Sequence, residues 1–242
     1  MVPESIKYSF GGSNDVTSDD GGIYPEIYET GNKLSLEPVD YYPPLVGYWR
    51  FNEGAGTITY DSSGKNNNGT LQGATWQSSG CVEVNCLSFD GSDDYINVTS
   101  SASLIPNVFT LSMWVDMTND SAYQSLISKS YYYSAYINPG SSPAYEMYFT
   151  TGNGGPTMQT PFAATFNAWQ LWTFVYNGTQ GLIYSNGVLA AGPTTLNSPT
   201  NLNTAINFGK GVLNLDGLMD DIKIYNKALT ASQIKAVYNA KQ

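Results

Sequence analysis

The stretch Asp61-Ser62-Ser63-Gly64-Lys65-Asn66-Asn67-Asn68-Gly69 packs carboxylate, hydroxyl and amide oxygens into one short loop. A hard cation such as calcium takes roughly six to eight oxygens of this kind, and the glycines permit the necessary bend. Asp61, Asn66 and Asn68 are therefore candidate ligands. The same residue types also close Asx-turns on their own backbone, so a conformational role stays open beside the metal. A second acidic group, Asp15 with Asp19 and Asp20, lacks regular ligand spacing and reads as turn chemistry.

Tyrosines supply the other candidate chemistry. Tyr123, Tyr131, Tyr132, Tyr133 and Tyr136 fall within a short span, followed by polar and small residues. A phenol ring has an apolar body and a polar tip, which suits stacking on a sugar ring while bonding its hydroxyls. Strand alternation sends Tyr131 and Tyr133 to one side and Tyr132 with Tyr136 to the other. One of those sides is expected to be core or sheet-face packing.

Catalysis finds little footing. The chain has no histidine, which excludes Ser-His and Cys-His nucleophile systems. Glycoside hydrolysis needs two carboxyl groups facing across a cleft. The glutamates (4, 26, 29, 37, 53, 83 and 146) show no regular acidic spacing on a strand, so a hydrolase would need a pair assembled from distant strands.

The elements that must carry these residues are strands. With 242 residues the chain can bury a full core as one domain. Only 12% of residues are charged, about half the usual share, and polarity comes from Asn, Ser, Thr and nineteen Tyr. A net charge of −10 argues against nucleic-acid partners, which require a basic footprint. Cys81 and Cys86 make a poor zinc site without histidine, and a small disulfide loop is the expectation, which places the protein outside the reducing cytosol. No apolar run is long enough to span a membrane, and the start at Met1 does not read as a signal peptide.

Asp90-Gly91, Asn186-Gly187 and Asn177-Gly178 each separate two strand-like runs, and Asx-Gly supplies the positive φ of tight hairpins. Phe109-Thr110-Leu111-Ser112-Met113 alternates as a half-buried strand should. One helix is expected near the C-terminus: Thr230 caps it, Gln233 completes the capping box, and Leu229 with Ile234 forms a hydrophobic staple. Residues 1–44, rich in turn signals and ending at Tyr41-Tyr42-Pro43-Pro44, read as an extension or linker to a domain over 45–242.

Five segments in order then resemble a known family. These are Val46-Gly47-Tyr48-Trp49-Arg50-Phe51 with Glu53-Gly54-Ala55-Gly56, Asp61-Ser62-Ser63-Gly64, Phe89-Asp90-Gly91-Ser92-Asp93-Asp94-Tyr95, Trp169 to Trp172 with Tyr184-Ser185-Asn186-Gly187, and Asp216 to Tyr225. Together they are similar to laminin-G-like, concanavalin-A-like lectin and glucanase domains. The resemblance implies an all-β fold, a two-sheet antiparallel jelly-roll sandwich with one short C-terminal helix. It implies that Trp49, Trp114, Trp169 and Trp172 are core residues. It also implies that the first and last strands lie together, bringing Glu53 and Asp61 toward Asp220 or Asp221 around a structural calcium. The Glu-x-Asp-x-x-Glu motif of the β-glucan hydrolases in this superfamily is absent. A fainter similarity, in the 24–44 stretch and the Cys81–Cys86 spacing, is to soluble parts of pseudopilin-like surface proteins.

The expectation is thus an extracellular or cell-surface module, without catalytic activity, binding a glycan or a surface protein and stabilised by calcium. Two alternatives stand beside it: a subunit of a pilus, filament or virion assembled through self-contacts, and a glycoside hydrolase with an unrecognised carboxylate pair.

Overall fold

A computed structural model describes residues 45–118, 123–130, 132–139, 145–152, 154–200, 203–211 and 213–241. The expected extension at 1–44 and Tyr131 lie outside the described residues. Among the described residues sixteen strands, numbered in chain order, form two antiparallel sheets. The first sheet contains β1 (Leu45–Trp49), β4 (Thr75–Gln77), β5 (Cys86–Asp90), β7 (Phe109–Met117), β12 (Gln170–Tyr176), β13 (Gln180–Ser185), β14 (Val188–Thr195) and β16 (Asp216–Tyr225). The second contains β2 (Ile58–Thr59), β3 (Gly69–Gln72), β6 (Tyr95–Val98), β8 (Gln124–Lys129), β9 (Tyr133–Asn138), β10 (Glu146–Thr151), β11 (Thr157–Ala163) and β15 (Ile206–Phe208).

Spatial order is β14-β13-β12-β7-β16-β5-β4 in the first sheet and β11-β10-β9-β8-β15-β6-β3-β2 in the second. Aromatic side chains from both inner faces fill the space between them, as in Trp49 against Phe208 and Phe149 against Phe174. The result is a jelly-roll sandwich.

Strand β16 organises the site region. Its first half pairs with β5 up to Met219, opposite Leu87, and its second half pairs with β1 from Ile222, opposite Trp49. Asp220 and Asp221 occupy the change of partner. The register with β7 shifts there, and Asp221 adopts φ 52°. A bulge of this kind leaves backbone and side chains to be satisfied by something other than the ladder.

The Asn186-Gly187 and Asn177-Gly178 turns close β13–β14 and β12–β13 as expected. Asp90-Gly91 does not close a hairpin. It is a corner, because β5 belongs to the first sheet and β6 to the second. The short turn reverses direction between layers, with the Asp94 carboxylate accepting the Asp90 N–H at 3.0 Å.

Strand β7 is buried on both faces, where alternation alone predicted one. Its Thr110 and Ser112 side lies beneath the C-terminal segment, with Thr110 Oγ1 donating to the Lys227 carbonyl and accepting the Leu229 N–H. Helix α1 (Ala231–Asn239) starts at Thr230 with the full capping box. Leu229 and Ile234 are buried in a second apolar cluster with Val175, Tyr184 and Tyr225, on the sheet's outer side. Among the described residues no helix is long and apolar enough to cross a membrane.

Candidate functional site

The Asp61 loop is held by its own polar atoms. Asp61 Oδ1 accepts N–H groups from Tyr48 and Ser63, and Oδ2 accepts the Ser63 hydroxyl and the Asn67 N–H, all at 2.8–2.9 Å. Asn68 Oδ1 accepts the Asp61 N–H. Asn66 supplies a left-handed turn at φ 57°. Asn67, which the sequence reading did not single out, is the buried anchor: its side chain donates to the Val46 carbonyl and to Ser103 Oγ and accepts Ser101 Oγ. Glu53 Oε1 accepts Tyr60 N–H at 2.7 Å, while Oε2 is buried without a hydrogen-bond partner.

Asp220 and Asp221 sit elsewhere, at the β16 bulge. Asp220 is fully buried; Oδ2 accepts the Val82 and Glu83 N–H groups at 3.1 and 3.0 Å, and Oδ1 has no partner. Burial, then the neighbouring Asp221 charge, pushes its pKa up to about 8. The donors come from the loop closed by the Cys81–Cys86 disulfide, whose Cα atoms are 5.4 Å apart. That loop fills the gap along β16 between the end of β1 and the start of β5. Asp221 Oδ2 meets Lys223 Nζ at 2.5 Å, and Oδ1 lies 3.7 Å from Lys241 Nζ. Lys241 also contacts Glu83, which takes Arg50 at 3.2 Å and Asn52 at 2.8 Å. Burial, and secondly the Asp221 charge, raises the Tyr48 and Tyr225 hydroxyls well above their ordinary range.

These facts bear on the calcium expectation. Asp61 and Asn68 find hydrogen-bond partners within the loop, while Asp220 and Asp221 find theirs at the β16 bulge. Asp61 has spent its oxygens on the loop, and Asp221 is compensated by lysine ammonium groups. Among the described residues the trio of acidic groups that comes within 4.8 Å is Asp90, Asp93 and Asp94, at the corner between the sheets. Asp94 there is buried and bonded to Asp90 N–H, and its pKa is raised chiefly by that burial.

The tyrosines divide. Tyr132 and Tyr133 are core residues, each 3% exposed and packed on Phe109. Tyr132 donates to the Pro106 carbonyl, and burial with the Tyr176 neighbour pushes its hydroxyl up to about 12. Alternation in β9 turns Ala135 and Ile137 into the core and Tyr136 away from it. Tyr136 lies opposite Tyr148 of β10, rings 5.3 Å apart and 16° from parallel, and Tyr123 lies 6.4 Å away on its other side.

A row of three rings therefore crosses the outer face of the second sheet. Tyr123, at 38%, is the most exposed of them. Tyr148 donates to Glu146 Oε2 at 3.2 Å, and Gln159 of β11 stands opposite Tyr148. Tyr148 was missed in the sequence. Its alternation with Met147 and Phe149 was readable, but its pairing with Tyr136 depends on register between strands.

The four tryptophan expectations also resolve. Trp49, Trp114 and Trp172 are buried. Trp169 is only half-buried, and its Nε1–H reaches the Gly80 carbonyl at 2.6 Å, so it covers the approach to the disulfide loop rather than the core.

The sandwich, with its closing strand pair and roofing helix, defines a concanavalin-A-like domain. A family model described as the concanavalin A-like lectin/glucanases superfamily, of laminin-G type, matches residues 90–235, and the chain belongs to that family. Among solved structures it is similar to domain 4 of AbnA, a GH43 extracellular arabinanase from Geobacillus stearothermophilus, in complex with arabinotriose. The TM-score is 0.66 at 18% identity, covering 81% of this chain and 98% of that one. The binding domain of Paraclostridial mosquitocidal protein 1 matches with TM-score 0.66 at 17% identity over 81% of this chain. The binding domain of botulinum neurotoxin DC, in complex with SialylT, matches with TM-score 0.64 at 16% identity over 82%. This chain spans about half, 52%, of each toxin domain. At these identities the likeness shows the fold. A search of curated proteins gave no match.

Proposed function

We propose that this domain is an extracellular, non-catalytic module that binds a glycan through the Tyr123–Tyr136–Tyr148 row. The observation that carries the reading is the row itself: Tyr136 and Tyr148, paired across β9 and β10, with Tyr123, just before β8, beside Tyr136, all turned away from a well-filled core. Burying rings inside is routine, whereas aligning them outside leaves apolar ring surface beside hydroxyl tips. Outward neighbours Ser134, Thr150, Thr157 and Gln159 add hydroxyl and amide groups suited to sugar hydroxyls. The disulfide fits an oxidising compartment. Similar folds in complex with arabinotriose and with SialylT support the class of ligand.

A glycan array probed with wild type and Tyr123→Ala tests the proposal. Tyr123 is exposed, so its replacement should leave the fold intact while weakening binding about tenfold or more. A flat array, or binding indifferent to Tyr123→Ala, refutes it. The self-assembly alternative has its own observation. Edge strand β14 carries no charged residue and exposes Val188 at 62% and Leu189 at 48%, so its stretch before Pro193 offers a surface for strand pairing. Sedimentation as oligomers, abolished by Val188→Lys, would favour it.

A further inference from the structure

We infer that the ligand of the tyrosine row is an uncharged glycan engaged over at least two consecutive sugars, an inference that rests on the glycan-binding reading above. The row crosses three neighbouring chain segments with ring centroids 6.4 and 5.3 Å apart. Each gap exceeds one strand spacing of about 4.8 Å, so the row extends over roughly two spacings, longer than one pyranose ring. The rings lean on one another, which leaves exposed Tyr123 as the stacking surface and the hydroxyl ends of Tyr136 and Tyr148 beyond it as polar contacts, the Tyr148 oxygen as an acceptor because its proton goes to Glu146.

Charge defines the class. Carboxylated, sialylated or sulfated sugars are recognised through Arg or Lys, whose donors match an anion's oxygens. Every described cation of this chain is committed or placed elsewhere. Arg50 and Lys241 engage Glu83, and Lys223 engages Asp221. Lys210 lies over the Tyr95 ring at 3.8 Å, and Lys235 over Tyr238 on the helix at 4.6 Å. Lys129 is 1% exposed, with its ammonium on Ser100 Oγ and the Thr204 carbonyl. Lys65 belongs to the Asp61 loop and Lys227 follows β16.

On the outer positions of β9, β10 and β11 beside the row, the described side chains are hydroxyls, amides, the apolar Pro161, Phe162 and Ala163, and the Glu146 carboxylate that takes the Tyr148 hydroxyl, with no cation among them. The net charge of −10 adds a field that repels anions over about a Debye length, ~10 Å at 0.1 M salt. Neutral hydroxyl pairs meet this surface at no such cost.

Matched pairs of oligosaccharides separate the outcomes: lactose-terminated and sialyllactose-terminated chains, and galacto- and galacturono-oligosaccharides, titrated by calorimetry at low and at high salt. Neutral members are expected to bind about tenfold or more tightly than their anionic counterparts, with the gap narrowing as salt rises. Gln159→Lys, an exposed change opposite Tyr148, should raise affinity for the anionic member of a pair about tenfold. An anionic glycan that binds wild type as tightly as its neutral partner, and is lost in Tyr123→Ala, overturns the inference while leaving the glycan-binding reading standing. Absence of binding to every member of every pair overturns both.

Discussion

Replacing Asp220 with Asn should flatten the pH dependence of stability. Asp220 is fully buried, takes two amide donors from the disulfide loop and leaves Oδ1 without a partner. Its folded-state pKa of about 8 stands above the ordinary 3.8, so the folded protein keeps a proton that the unfolded chain releases between those values. Stability contributed by this group is present at low pH and lost as pH rises from about 4 to about 8.

Between about pH 4.5 and about pH 7.5 the loss amounts to roughly 4 kcal/mol, at about 1.4 kcal/mol for each unit over which the two states differ in protonation. Asp221, Lys223, Lys241, Glu83, Arg50 and Tyr48 surround the bulge, and Asp94 and Asp116 are also raised by burial, so wild type carries several contributions. The difference between wild type and Asp220→Asn isolates this one. Asn can accept the same two amides through its carbonyl, so the variant should fold. Its new amide hydrogens in the unpartnered position cost about 1–3 kcal/mol at every pH. Urea denaturation at several pH values reads the slopes. Equal slopes for the two proteins would refute the argument.

Asp61→Ala removes four hydrogen bonds to a charged acceptor and should lower stability by several kcal/mol, about equally with and without EDTA. A loss confined to calcium-containing buffer would show a metal role for that loop. Opening the disulfide by Cys81→Ser with Cys86→Ser should cost about 2 kcal/mol from loop closure over a separation of five. That cost should change in the Asp220→Asn background, because the loop amides serve Asp220; strict additivity in a double-mutant cycle would contradict the coupling. Ile234→Ala should cost about 2–4 kcal/mol by thermal or denaturant unfolding, and a neutral result would mean that α1 is not docked on β12, β13 and β16.

Much of the fold was legible locally. The capping box at Thr230 and Gln233, the staple at Leu229 and Ile234, and the Asn-Gly hairpins are short-range devices whose geometry follows from neighbouring residues alone. The Asp90-Gly91 corner was misread for the same reason. A tight Asx-Gly turn looks alike whether the next strand returns beside its predecessor or crosses to the other sheet, and only the layer arrangement separates the two.

The candidate site was half legible. Strand alternation indicated that the Tyr131–Tyr136 run would split between core and surface, and Tyr133 and Tyr136 do so. Tyr132 joins the core from the turn, where alternation no longer applies. The oxygen-rich Asp61 loop reads two ways for a different reason. Oxygen-rich composition is common to cation loops and to Asx-turn loops, so residue types alone do not separate the two. Asp61 takes N–H groups from Ser63, Asn67 and the more distant Tyr48 together with the Ser63 hydroxyl, and Asp221 meets Lys223.

By itself, then, the sequence determined the elements, the all-β class, the capped helix and the exclusion of histidine chemistry, since each is set by residue type and near-neighbour spacing. Tertiary structure alone decided that Tyr148 joins Tyr123 and Tyr136, and that the disulfide loop serves Asp220. It also decided that β7 is covered on both faces. Those contacts join residues far apart in the chain, through strand register and the change of partner along β16, and local spacing carries no record of either.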